Sequence, residues 1–479
     1  LGRMIGKATW LEDVRRLLAE QGAADRGAAV LCAARDYGNG RHGDPLPPAL
    51  RAAVAREKAA FVRNPLRSKP IGFYTWSDEL ARIFHADRML QTRLKSPQEA
   101  ATAATAIRGN TWKEAPYRQM LALASGLTNP LVAPDVLQPS TVPGPSERDP
   151  WYVLPPSRAH ETELAKRLWG AHVPEGANLF AELIPRVRSG EVSLAPRKDS
   201  GWYDHVTWSL EPLLRPEAQP EARRLRFTKG YREHLEELFK GLLALTRETH
   251  ITQLEIPAAG DMAPPPEIPV GPGLTVEPLA THYRRRADAY RFVRSVLERA
   301  FGPGAIAQVR RQTIDGPVAI DLDTELDLMS RIFDGAAETA RFEIGSSEAD
   351  TGPKGEAARA VFRTWRILAA NDPDLANDAR MMVPVFYDVQ RGKTKVWVFL
   401  GWQSVPLTIT YAAKPQVVGW KRGPDASKRK PDVVFPGQHA EVAYPVVAEV
   451  YVTELLDRRA MRAHCDRHRT RSAILRALR

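Results

Sequence analysis

Histidine and glutamate recur at a spacing that could hold a metal ion. The segment HETE carries His160 and Glu163, and the segment HLEE carries His234 and Glu237. Residues three apart lie on one face of a helix, and metal sites in helical bundles use the related Glu-x-x-His order. A divalent metal ion is therefore the cofactor that these four residues would bind. The alternative is two ordinary ion pairs on helix surfaces, and the HExxH pattern of zinc proteases is absent from the sequence.

Two segments repeat a pattern of aromatic, hydroxyl and acidic residues. GFYTWSDEL at 72–80 and GWYDHVTWSLEPL at 201–213 both begin with Gly, an aromatic residue and Tyr, and both then reach Thr-Trp-Ser and Glu. The second segment has Asp-His-Val inserted. Thr75 or Ser77 in the first segment and Ser209 in the second are suited to capping a helix, so we interpret both segments as helix starts, although Pro212 restricts where the second helix begins.

These two segments have two interpretations. In the first, their aromatic side chains fill the core beside two helix starts. In the second, they line a shared cleft for a polar or anionic substrate such as a carbohydrate, because aromatic faces stack on sugar rings and carboxylates bind hydroxyl groups. The rings lining this cleft would be Tyr74, Trp76, Trp202, Tyr203 and Trp208. Asp204 or His205 would be the base. Glu79 or Glu211 would be the acid.

Several common kinds of site are absent from the sequence. It contains no Gly-x-Ser-x-Gly motif, no phosphate-binding Gly-rich loop and no dinucleotide fingerprint. Cys32 and Cys465 are the only cysteines, too few for a disulfide scaffold or a cysteine-based zinc site. This favours a soluble protein of the reducing cytoplasm, and no apolar run is long enough for a transmembrane segment. A periplasmic location stays open, because the N-terminus lacks Met and could be processed.

Positive charge is concentrated at the C-terminal end. The formal net charge is +11 over 479 residues. Residues 391–479 contain 17 Lys and Arg against 7 Asp and Glu, so they account for +10 of it. Eight Arg lie between Arg458 and Arg479, and the residues that we expect to bind a polyanion are Arg458, Arg462, Arg469 and Arg471. Nucleic acid or an acidic protein would be the partner, and the alternative is a solvated face without a partner.

Hydrophobic periodicity predicts a multi-helical body followed by an antiparallel sheet and a terminal helix, a mainly α protein with a smaller β-rich part (α+β). Two Pro-rich segments interrupt the helices. The predicted regions are helical at 1–131, a Pro/Ser-rich connection at 132–150, helical at 151–255, a Pro-rich connection at 256–275, helical at 276–371, β-rich at 378–456 and a basic helix at 457–479. The polar stretch at 421–438 is expected to be a loop.

Two functional hypotheses follow and stay open at this point. One is an enzyme whose aromatic cleft carries out acid–base or metal-assisted chemistry. The other is a binding or scaffold protein whose basic C-terminal region docks on a polyanion.

Overall fold

The computed structural model describes most of the chain. The described residues are 6–39, 45–75, 77–138, 151–170, 177–223, 225–248, 254–255, 276–313, 316–370, 380–388, 391–411, 416–422, 429–434, 437–468 and 470–479. Trp76, Arg469 and the whole of the predicted connection 256–275 lie outside them.

The first described part of the chain is a helical unit around one hydrophobic core. Its helices are α1 (Lys7–Glu20), α2 (Arg26–Asn39), α3 (Pro48–Val62), α4 (Pro65–Ser68), α5 (Asp78–Leu90), α6 (Pro97–Gly109) and α7 (Ala115–Leu127). Helix α6 starts where the sequence provides a cap, because the Ser96 side chain accepts the Glu99 backbone N–H and Pro97 follows the cap. The core extends beyond the helices to Val153 and Leu154, and the Tyr117 hydroxyl donates to the Val153 carbonyl at 2.8 Å.

Seven more helices follow in the described middle of the chain. They are α8 (His160–Trp169), α9 (Leu179–Ser189), α10 (Trp202–Leu214), α11 (Lys229–Glu248), α12 (Ala280–Phe301), α13 (Leu322–Glu343) and α14 (Pro353–Ala370). Short 3₁₀ turns occur at Gly72–Thr75, Pro216–Ala218, Pro220–Arg223 and Ile306–Gln308. Helices α8 to α11 share a hydrophobic core with one face of the sheet, so this sheet positions the helices that carry most of the candidate residues.

The main sheet is built on one long strand. The strands of the described chain are β1 (Leu225–Arg226), β2 (Leu254–Glu255), β3 (Gln312–Thr313), β4 (Gly316–Pro317), β5 (Arg380–Asp388), β6 (Lys393–Tyr411), β7 (Gln416–Arg422), β8 (Arg429–Val434) and β9 (Gly437–Val452). Strand β6 pairs antiparallel with β5 and β9 and, at its far end, with β1. Strand β2 adds a parallel pair beside β5, whereas β3–β4 and β7–β8 are separate two-stranded ladders.

Both faces of this sheet are covered, as the side-chain alternation of β6 shows. Trp397 and Phe399 point into the core shared with α8 to α11. Val396 and Val398 point into a second core, which includes Phe84 of α5 and the terminal helices. Successive residues of a strand face opposite sides, so a nearly continuous apolar run such as VWVFL fits a sheet buried on both faces.

The basic C-terminal segment forms two helices where we predicted one. These are α15 (Arg458–Arg467) and α16 (Arg471–Leu478), and we call them the basic helices. The Thr470 side chain accepts the Ala473 backbone N–H and caps α16. A Thr at this position competes with a continuous helix because its hydroxyl satisfies a backbone donor at a new helix start.

The predicted fold class is confirmed: the protein is mainly α with a smaller antiparallel β part near the C-terminus. Two details differ from the sequence prediction. Residues 421–438 contribute to β7, β8 and β9 and are therefore not simply a loop. Strands β1 and β2 come from the predicted helical region 151–255 and are too short to leave a period in the sequence. No described helix has the length and apolar character needed to cross a membrane.

Candidate functional site

The segment with the inserted Asp-His-Val folds as helix α10, and its first turn is capped from a distant part of the chain. The helix begins at Trp202, and its N-cap Gly201 has no side chain to offer. Asn129, 72 residues earlier, supplies the cap: its side-chain oxygen accepts the backbone N–H groups of Gly201 at 3.2 Å and Asp204 at 3.3 Å. The Tyr203 N–H donates to the Thr128 carbonyl at 3.0 Å. The start of α10 is therefore fixed on the residues that follow α7.

Asp204 is the most enclosed of the candidate carboxylates. Its side chain is 2% exposed and accepts hydrogen bonds from Asn129 Nδ2 at 2.6 Å and Ser200 Oγ at 2.5 Å. His160 Nε2 lies 3.2 Å from Asp204 Oδ1, and the Arg158 guanidinium lies 3.9 Å from Oδ2. The imidazole N–H is poorly aligned for a hydrogen bond, so we describe the His160 contact as an ion pair.

The two members of this pair favour their charged forms. Burial by itself raises the pKa of Asp204, but His160, Ser200 and Asn129 outweigh it and the pKa is lowered overall. Burial also opposes charge on His160, yet the neighbouring Asp204 carboxylate raises its pKa above the usual value. An imidazolium paired with a carboxylate is consequently favoured here at mildly acidic pH.

A second buried network adjoins the first through consecutive residues of α8 and α10. The Tyr203 hydroxyl donates to Glu161 Oε1 at 2.7 Å, and Glu161 also forms an ion pair with Arg247 of α11. The Arg247 guanidinium donates to the backbone carbonyls of Pro384 at 3.3 Å and Val385 at 3.0 Å in strand β5. This network joins α8, α10, α11 and the sheet through fully enclosed polar contacts.

The remaining candidates on α10 face different surroundings. Trp202 packs against the core around α12, with its ring 6.3 Å from Tyr290. His205 stacks on Phe292 at 4.1 Å, and burial lowers its pKa.

Trp208 and Glu211 share a third environment, which is organised by Arg285 of α12. The Arg285 guanidinium covers the Trp208 ring at 4.1 Å and donates to the Trp208 carbonyl at 3.0 Å. It also lies 3.6 Å from Glu211 Oε1, while the other Glu211 oxygen accepts the Leu194 N–H at 3.3 Å. The contacts of these two residues are therefore internal to the helical body.

The first aromatic segment lies in another core. Tyr74 lies within the Gly72–Thr75 turn and packs on Phe84 at 5.2 Å, in the cluster formed by the sheet and the basic helices. Glu79 is exposed in the first turn of α5. Trp76 lies outside the described residues. Tyr74 of the first segment and Trp202 of the second thus belong to different hydrophobic clusters.

The two segments also enter their helices differently. Ser77 caps α5 as we predicted, because its hydroxyl accepts the Leu80 N–H at 3.2 Å. The prediction for Ser209 is wrong: it lies inside α10, and its hydroxyl donates to the Val206 carbonyl at 2.6 Å. With the cap supplied by Asn129, α10 starts eight residues earlier than a cap at Ser209 would place it. The sequence similarity therefore does not correspond to a common helix start.

The four residues suggested as metal ligands have separate partners. His160 pairs with Asp204, and Glu163 lies 3.8 Å from Arg158. His234 Nε2 hydrogen-bonds to Glu277 Oε1 at 2.5 Å, and Glu237 pairs with Lys240 at 2.7 Å. Within the part of the chain that the structure describes, no group of three or more His, Cys, Asp or Glu side chains could hold a metal ion.

Sequence reasoning did not find the residues that organise these networks. Asn129 and Ser200 donate hydrogen bonds to Asp204. Glu161 and Arg247 form the buried ion pair. Glu277 forms a hydrogen bond with His234. Glu161 stands within the HETE segment, next to His160, but its two main partners are 42 and 86 residues away. No local spacing rule reports contacts across such distances.

The basic helices present arginine on their outer side. Arg459, Arg462, Arg467 and Arg476 are exposed. Of the four residues predicted to bind a polyanion, Arg462 is exposed, Arg458 and Arg471 are half-buried, and Arg469 is not among the described residues. Arg458 lies beside Glu248, whose pKa burial raises against the opposing effects of the Phe73 backbone N–H and Arg458.

No protein-family model, curated protein or solved structure matches this chain. The fold and the candidate sites define a mainly helical protein with a sheet covered on both faces, a set of buried polar networks and a basic pair of terminal helices. Inference about its function therefore depends on the contacts of its own residues.

Proposed function

We propose that this chain binds a polyanionic partner through the basic helices. One observation carries the proposal: the apolar sides of both helices are buried against the sheet, while four of their arginines are exposed, namely Arg459, Arg462, Arg467 and Arg476. Met461 and Cys465 of α15 and Ile474 and Leu475 of α16 are between 0% and 8% exposed. Because packing already fixes the orientation of each helix, the outward arginines form a stable surface.

The sequence of the basic helices contains far more basic than acidic residues. The only acidic residue between 458 and 479 is Asp466, and it already pairs with Arg380 of strand β5 at 2.6 Å. Arginine presents a planar set of N–H donors that matches the oxygens of phosphate and carboxylate groups. A concentration of such groups raises the local concentration of an anionic partner and speeds its association.

The acid–base hypothesis for α10 receives less support from its contacts. The Asp204 carboxylate is satisfied by protein donors, and the candidate rings Trp202, Tyr203 and Trp208 contact three different sets of neighbours. Enclosed carboxylates that are hydrogen-bonded to protein donors, as Asp204 is, are typical of structural networks.

Retention of the full chain on immobilised heparin tests the proposal. The variant R459Q/R467Q/R476Q should elute at a clearly lower NaCl concentration than the unchanged protein, because it removes three exposed charges from the basic helices. The matched control is R56Q/R299Q/R310Q, which removes three exposed arginines from the helical body. Equal elution of the two variants, or no retention of the unchanged protein, would refute polyanion binding by the basic helices.

A further inference from the structure

Resting on the proposed function, we infer that the polyanion is a double-helical nucleic acid, held through its phosphate backbone without sequence readout. The basic helices carry the cations that phosphates need. The described side chains of these helices include no exposed aromatic ring for stacking single-stranded bases and no outward apolar face for insertion into a lipid surface.

The arginines follow the outward face of α15. Arg459 and Arg462 are three residues apart, so they lie on neighbouring turns of one face. Asp466 lies on the same face, and Arg380 offsets its negative charge through an ion pair. Arg467 stands at the end of the helix, with its Nε donating to the Ala463 carbonyl at 3.2 Å. On α16, Arg476 and Arg479 are exposed.

Recognition of single strands relies on aromatic rings on which bases stack. The sequence of the basic helices contains no Trp, Tyr or Phe. Their rings are those of His464, which is buried, and His468, which lies 4.8 Å from it and is half-buried. The described exposed Trp and Phe side chains, Trp112, Phe342 and Trp365, all belong to the helical body. Tyr74 packs in the same cluster as the basic helices but is half-buried. The described side chains of the two helices therefore include no exposed aromatic ring on which a base could stack.

Insertion into a lipid surface relies on an apolar helix face turned outward. The apolar faces of both basic helices are turned inward, onto Val396, Val398 and Val450 of the sheet. These apolar faces are therefore buried inside the protein and are not available for insertion into a membrane. A rigid duplex displays phosphates at fixed intervals, and arginines held on two packed helices suit that arrangement.

Side-chain caps at the starts of both basic helices also indicate that this surface is rigid. The Asp457 side chain accepts the Ala460 N–H at 2.7 Å and caps α15, while Thr470 caps α16 through Ala473. A preorganised set of charges loses little conformational entropy on binding. A rigid duplex and a rigid arginine surface therefore both lose little conformational entropy when they bind each other.

Fluorescence anisotropy with labelled 20-mers tests this inference in the full chain. The probes are a DNA duplex, an RNA duplex, and unstructured oligo-dT and oligo-U. We expect duplexes to bind roughly tenfold or more tightly than single strands, with little dependence on duplex sequence; comparing the two duplexes identifies the favoured helix form. The variant R459Q/R467Q/R476Q should lower the slope of log K against log salt by roughly 2 to 3, since each phosphate contact contributes about 0.9. The control R56Q/R299Q/R310Q should keep the slope.

The outcomes separate this inference from the proposed function. Single strands that bind as tightly as duplexes would overturn the duplex assignment while leaving polyanion binding intact. Retention on heparin without binding to any nucleic acid would do the same, as would tighter binding to vesicles of anionic lipid. If the unchanged protein is not retained on heparin, the proposed function itself is refuted.

Discussion

Arg247 and Glu161 form an ion pair in which each side chain is only 1% exposed. The pair joins α11 to α8, and Arg247 continues to the carbonyls of Pro384 and Val385 in strand β5. Glu161 also accepts the Tyr203 hydroxyl. Buried charges are tolerated only when partners satisfy them, so this contact makes the positions of two helices and a strand mutually dependent.

Removing one charge of this pair should destabilise the protein strongly. E161Q leaves the Arg247 guanidinium buried without its counter-charge, and we expect a loss of roughly 3–5 kcal/mol in the free energy of unfolding. Urea denaturation followed by circular dichroism measures it. The control is E191Q, which breaks the Arg167–Glu191 pair whose side chains are about half exposed, and it should cost less than about 1 kcal/mol. Equal losses in the free energy of unfolding for E161Q and E191Q would show that burial does not determine the strength of these ion pairs.

Asn129 should be essential to the start of α10. N129A removes the acceptor for two backbone N–H groups and the donor to Asp204 and to the Arg158 carbonyl at 3.1 Å. We expect a loss of roughly 2–4 kcal/mol, measured by the same denaturation. N129D retains acceptors for the N–H groups but places a second carboxylate beside Asp204, so it should recover stability as the pH is lowered. If N129D is as stable as the unchanged protein at neutral pH, the assigned direction of the Asn129–Asp204 hydrogen bond is wrong.

Gly241 should resist substitution although it lies within helix α11. Alanine stabilises an exposed helix interior by about 1 kcal/mol relative to glycine. At Gly241, however, an added Cβ would lie 1.7 Å from Pro445 Cγ of strand β9. G241A should therefore destabilise the protein by roughly 1–3 kcal/mol, and P445A in the same chain should return part of the loss.

A second helical glycine provides the control for this steric effect. At Gly38 in α2 the nearest atom to an added Cβ is the Ala86 Cβ, at 3.4 Å, which is ordinary contact. G38A should be close to neutral in thermal unfolding. A stabilised G241A would show that α11 and β9 are not in such close contact.

His282 should make the protein less stable in acid. Burial lowers its pKa to about 4, and the positive charges of Arg286 and Arg285 act in the same direction. The hydrogen bond to the Ser209 carbonyl and the Glu277 carboxylate oppose this shift. Its unfolded pKa is about 6.5, so its contribution to stability is present above that pH. As the pH falls from about 6.5 to about 4, only the unfolded chain gains this proton, and the loss approaches ~3 kcal/mol.

The variant H282N tests this pH dependence. Asparagine can still donate to the Ser209 carbonyl but does not titrate, so stability should fall less between pH 7 and pH 4.5 than in the unchanged protein. His160 does not add to the acid loss, because its pKa is raised and its contribution is present below about pH 6.5 and declines as the pH rises. An unchanged pH slope in H282N would exclude His282 as its source.

Much of the fold could be predicted from local patterns. Ser96 before Pro97, and Ser77 before Asp78, mark helix starts through contacts within three residues. The change of period after residue 380 predicts the sheet for the same reason, since adjacent side chains report which faces are buried. The short strands β1 and β2 escaped prediction because two residues have no periodicity.

The sequence by itself determined the helical and β-rich regions and the concentration of positive charge after residue 391, because these depend on neighbouring residues and on composition. Only the tertiary structure decided that Asp204 meets Asn129, that Glu161 meets Arg247, and that Tyr74 and Trp202 lie in different cores. Contacts between residues tens of positions apart depend on how the helices and the sheet pack together. Local spacing contains no information about that packing.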